Sequence, residues 1–77
     1  MISLKVSLKT VRDVQDFVHI CTRFDTVDID VVSGRFIIDA KSIMGLFSLD
    51  LSKPLTVNIH ADSADDIKAA LDRFLVQ

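Results

Sequence analysis

The chain predicts a two-layer α+β domain, with helices over one face of a four-stranded antiparallel sheet and water on the other. Three observations carry that prediction. Four segments alternate apolar and polar residues, as half-buried strands do. Between them fall stretches with the three-and-four spacing of amphipathic helices. The resulting order is β-α-β-β-α-β-α, and 77 residues leave room for one domain, assigned to 1–77.

The first strand is read in Ile2-Ser3-Leu4-Lys5-Val6-Ser7-Leu8-Lys9, which alternates without error. The period then changes: Val14, Phe17, Val18, Cys21 and Phe24 form one helical stripe. Thr10-Val11-Arg12-Asp13 has the form of a capping box that fixes this helix's start. Val27-Asp28-Ile29-Asp30-Val31 alternates again, Ser33-Gly34 signals a tight hairpin, and Phe36, Ile38 and Ala40 share one face of the returning strand. Ser42 to Leu49 reads as one or two helical turns capped by Ser42, with Gly45 held at close approach. Pro54 opens the last strand, where Leu55, Val57 and Ile59 point inward. Ser63 to Asp66 is read as a second cap, followed by the stripe Ile67, Ala70, Leu71, Phe74 and Leu75. The wet face of the sheet then carries Ser3, Lys5, Ser7, Asp28, Asp30, Asp39, Thr56, Asn58 and His60, with Ile37 as an apolar exception. Lys5 is expected to pair across strands with Asp28 or Asp30.

Composition excludes several classes of function. With 49% apolar residues, two Gly and one Pro, a buried core is obligatory and disorder is excluded. The net charge of −2 does not favour nucleic acid, and five Phe without Trp or Tyr fit core filling better than a stacking platform. No apolar run exceeds three residues, so no membrane span is expected. Met1 leads directly into a strand pattern, so no signal peptide is expected. A lone Cys21 forms no internal disulfide and suits a reducing, cytoplasmic setting. His19 and Cys21 lie two apart on a helix and point in different directions, His60 sits on a strand, and no spacing fits a metal site. No nucleophilic triad and no Gly-rich phosphate loop occurs, so neither catalysis nor a cofactor is expected.

The stretch from Ile38 to Leu49, Ile-Asp-Ala-Lys-Ser-Ile-Met-Gly-Leu-Phe-Ser-Leu, closely resembles the serine-site signature of the HPr family. These are small phosphocarriers of the bacterial phosphoenolpyruvate-dependent sugar phosphotransferase system. The resemblance implies an HPr-like open-faced β-sandwich, in agreement with the pattern above. It also implies a phosphoryl-accepting histidine at the start of the first helix, in a Gly-x-His-Ala-Arg-Pro-Ala motif. With Phe24 laid on the aromatic after that helix, Thr10 falls at the histidine position, Arg12 is retained, and Asp13 replaces the proline. No histidine precedes His19. A phosphothreonine is a stable ester, whereas a phosphohistidine hands its phosphoryl group onward. Asp13 also places negative charge where the free amides of a helix start would welcome phosphate.

Ser42 keeps its full context. By the resemblance it is the regulatory serine, and phosphate there would gain about 1–2 kcal/mol from the helix-start amides. Lys41 is then expected as a counter-charge, and Ile43, Met44 and Phe47 as a partner-docking patch, one of them buried. Serine is also a favoured cap, a role compatible with phosphorylation. The implied protein is a non-enzymatic regulator or adaptor, similar in logic to Crh, the paralogue that lacks the histidine and acts as a serine-phosphorylated co-repressor. Its partners would be a serine kinase/phosphatase, a transcriptional regulator or metabolic enzyme, and components of the phosphotransferase system, with the chain a monomer or homodimer. Two alternatives stay open: an atypical phosphocarrier in the phosphotransferase relay, with His19 or a partner supplying the transfer, and a purely structural interaction domain.

Overall fold

The computed structural model describes residues 1–76. Its elements are β1 (Ile2–Val6), α1 (Val11–Thr22), β2 (Ile29–Ser33), β3 (Phe36–Asp39), α2 (Ile43–Phe47), β4 (Leu55–Ile59), α3 (Asp65–Ala70) and a closing 3₁₀ turn (Asp72–Phe74). The strands form one antiparallel sheet in the order β1-β4-β2-β3. The element order and the open-faced α+β architecture are those the sequence predicts.

Alternation along the strands decides which layer each side chain joins. Val6, Ile29, Val31, Leu55, Val57 and Ile59 turn inward and are buried. Val14, Phe17 and Cys21 of α1, Leu46 of α2, and Ile67, Leu71 and Phe74 from the C-terminal region meet them in one core. The Phe17 and Phe74 rings lie edge to face at 5.9 Å between centroids, a geometry that adds about 0.5–1.5 kcal/mol beyond area burial. No polar side chain among the described residues is fully buried.

Four local expectations are corrected. Lys5 does not face Asp28 or Asp30, because β4 separates β1 from β2; Lys5 lies opposite Thr56. Asp30 instead lies between Asn58 and Asp39 and takes the imidazole of His60 at 2.8 Å. Phe36 is 64% exposed, since it leaves the turn opposite Ser33 at the hairpin tip, while α2 meets β3 farther along, at Ile38. Ser63 is not the cap of α3. The buried Ala64 occupies that position without a side-chain bond, and Asp66 takes the amide of Ile67 instead. The last stripe does not stay α-helical: the chain tightens at Leu71, and Leu75 is extended and bridges to Val6. Ile67, Leu71 and Phe74 keep the predicted burial, and Phe24 packs on the core just beyond the end of α1.

Candidate functional site

Two helix starts carry the chemistry that the sequence singles out. At α1, Thr10 is extended (φ −127°, ψ 163°) and its hydroxyl accepts the amide of Asp13 at 3.0 Å. The Asp13 carboxylate reaches back to the Lys9 amide at 2.9 Å, one residue beyond the cap that a capping box engages. Its pKa is held below the ordinary 3.8, chiefly by the Lys9 amide, with further help from the Thr10 amide and the Arg73 charge against a burial penalty. Arg73, from the 3₁₀ turn, brings Nη2 to 3.4 Å from Asp13 and 3.0 Å from Asp16. Its guanidinium also lies 4.4 Å above the centre of the Phe74 ring. Arg12 is drawn toward Asp16 along the same helix, at 3.4 Å. The first turns of α1 thus already hold two carboxylates answered by two guanidinium groups.

At α2, Ser42 is extended and its hydroxyl accepts the Gly45 amide at 3.2 Å. Only a glycine fits at position 45, because a Cβ there would stand 2.6 Å from Cγ2 of Ile38 and 3.1 Å from Oγ of Ser42. The close approach predicted for Gly45 is therefore real, and β3 is what it approaches. Among the described residues no carboxylate takes a helix-start amide of α2. Met44 and Phe47 are 80% and 40% exposed, Ile43 is half-buried against the core, and Leu46 is the α2 residue that is fully buried. Lys41 is not poised over Ser42; its ammonium bonds the Val27 carbonyl at 2.8 Å.

The helices α1 and α2 pack against each other, so both starts belong to one helical layer. The family described as PTS HPr component phosphorylation site matches residues 4–75 of the chain. The chain belongs to the HPr family. HPr proteins are phosphocarriers of the phosphotransferase system, not enzymes, and interact with proteins of that system. The fold is similar to that of HPr-C-His from Thermoanaerobacter tengcongensis, at 27% identity and a TM-score of 0.78, over 96% of this chain and 91% of that one. No curated protein matches.

The remaining titratable candidates of this HPr chain lie apart from the α1 start. His19 is exposed in the last turn of α1, nine residues and roughly 13 Å of helix axis beyond Thr10. His60 is tied to Asp30 in a shallow pocket that also holds Asp28, Asp39 and Lys41. Three carboxylates make that pocket a poor host for phosphate. Cys21 is buried, and burial pushes its thiol up to about 12, so it is a small core residue and not a nucleophile. Among the described residues no cluster could hold a metal ion, and no helix is long and apolar enough to cross a membrane. Arg73 is the site residue that sequence reasoning missed. It stands 60 residues from Asp13 and carries no local signal of its own.

Proposed function

We propose that this HPr-family chain is a regulatory or adaptor protein of the phosphotransferase system that works through the Ser42 face and does not relay phosphate from the α1 start. The observation that carries the reading is the contrast between the two caps. Thr10 offers a hydroxyl where the family resemblance expects an imidazole, beside a carboxylate that occupies the neighbouring amide. Ser42 offers a hydroxyl with an adjacent exposed apolar surface, Met44 and Phe47.

A serine kinase would move the γ-phosphoryl group of ATP onto Oγ of Ser42, with the hydroxyl proton lost and ADP released. The added dianion would exchange the single Gly45 amide bond for charge-assisted ones and recharge the edge of the apolar patch. Ile43, Met44 and Phe47 then form the partner surface, with Arg12 and Lys41 at its margins. The partners are the kinase and its phosphatase, and a transcriptional regulator or metabolic enzyme that reads the phosphorylated form in the cytoplasm.

The test is phosphorylation by an HPr serine kinase with ATP, followed by intact-mass measurement. One acid-stable phosphate on the parent chain and none on Ser42→Ala supports the reading. An unmodified parent under conditions that label a serine-bearing HPr contradicts it. The exposure of His19 favours a second reading, a relay through that imidazole; His19→Ala tests it directly, since transfer that survives the substitution removes it.

A further inference from the structure

The two edges of the sheet are protected unequally. The β1 edge carries Lys5 and is covered at one end by the C-terminal segment. There Ser7 donates to the Phe74 carbonyl at 2.8 Å and Val76 to that of Lys5 at 2.9 Å. The β3 edge has no such cover. β3 bonds to β2 alone, contains neither Lys nor Pro, and exposes Phe36 and Ile37 at 64% and 68%. A bare, apolar, unbulged edge is a template for another strand.

The phase of the β2–β3 ladder fixes what that edge offers. Ser33 and Phe36 close a two-residue turn in which Gly34 has φ +58°, so they form a hydrogen-bonded pair. Ala40 donates to Ile29 at 2.9 Å in the same phase. Residues 36, 38 and 40 therefore direct their amides toward β2. Ile37 and Asp39 direct theirs outward.

We propose that β3 pairs antiparallel with β3 of a second copy, about a two-fold axis through Ile37. This register places Ile37 opposite Ile37 once, on the axis, and Phe36 opposite Ile38 and Arg35 opposite Asp39 twice each by symmetry. The outward amides of Ile37 fall in phase, because residues facing each other across the axis exchange both bonds. Charge fits the same register. Arg35 has no ion-pair partner in its own chain among the described residues. Asp39 lies directly opposite Asp30 within the sheet, an unfavourable like-charge neighbour. One of its oxygens holds the Lys41 amide, and Lys41 sends its ammonium to the Val27 carbonyl. Arg35 of the second copy supplies the missing positive charge to Asp39. The paired β3 strands run on through residues 40 and 41 to Ser42, so one particle would carry two Ser42 faces.

Sedimentation velocity over a range of concentrations tests the proposal, with circular dichroism melts to show that each variant is folded. The parent chain is expected to pass from monomer to dimer as concentration rises. Ile37→Lys sets two ammonium groups opposite each other on the axis, and Arg35→Asp sets two acids opposite Asp39. Each is expected to raise the dissociation constant by about tenfold or more. Mixing Arg35→Asp with Asp39→Lys restores every opposite-charge pair, so the mixture is expected to dimerise where each variant alone does not. The Ile37 amide should also gain hydrogen-exchange protection with concentration, while the Ile38 amide is protected throughout. A chain that stays monomeric at millimolar concentration overturns the proposal, as does a dimer that both Ile37→Lys and Arg35→Asp leave intact.

Discussion

The starts of α1 and α2 are built on the same device and end in different chemistry. Each has an extended hydroxyl residue whose oxygen accepts the amide three residues on, at 3.0 Å for Thr10 and 3.2 Å for Ser42. At α1 the cap is surrounded by fixed charge: Asp13 turns back to the Lys9 amide, and Arg73 bridges Asp13 and Asp16. At α2 the surroundings are a glycine pressed against β3 and two exposed apolar side chains. A cap hydroxyl is thus only a starting condition. Whether it can take part in phosphate chemistry depends on what already occupies the amides and charges beside it.

The largest effect is expected from closing the space at α2. Gly45→Ala drives a methyl group into Cγ2 of Ile38, a β-branched atom that cannot swing aside, and crowds the Ser42 hydroxyl. Against a helix-propensity gain of up to about 1 kcal/mol, overpacking of about 1–3 kcal/mol should dominate. Chemical denaturation is expected to give a net loss near 1–2 kcal/mol. A stabilised Gly45→Ala chain would break the contrast, because α2 would then have room to spare.

Removing each cap sharpens the comparison further. Thr10→Ala and Ser42→Ala should each lose about 1 kcal/mol, visible as a fall of about 4–8 °C in Tm for a domain of this size. Arg73→Ala should cost about 1 kcal/mol or less, since its pairs are half-exposed and the Phe74 contact is one cation–π interaction. It should leave Ser42 phosphorylation unchanged, because Arg73 touches only the α1 side. The smallest effect concerns acid. Asp13 has a folded pKa below the ordinary value near 3.8, so its contribution is complete above that value and is lost as pH falls through the lower folded value. Melting curves of parent and Asp13→Asn chains should therefore converge as pH drops from 5 toward 2.

Much of this was legible in the chain itself, for reasons that can be named. Strand alternation and the two hydroxyl caps are local signals, and local geometry obeyed them at Thr10 and Ser42. Gly45 was readable as a close approach, although not that Ile38 would be the neighbour. Arg73 was not readable, because its role depends on the C-terminal turn folding back beside α1. The sequence places Lys41 beside Ser42 as a counter-charge but carries no sign of the Val27 carbonyl, 14 residues away, that holds its ammonium in the folded chain. Lys5 was assigned a partner on the wrong strand because alternation fixes a face and not a strand order.

The central claim of the proposed function is that this chain holds no phosphate in transferable form, the α1 start offering no imidazole to carry it. It is tested most directly by incubating the chain with enzyme I and phosphoenolpyruvate beside a histidine-bearing HPr, then measuring acid-labile phosphate on each. The account predicts label on the control and none on this chain. Acid-labile phosphate on this chain, at His19 or anywhere else, would contradict it.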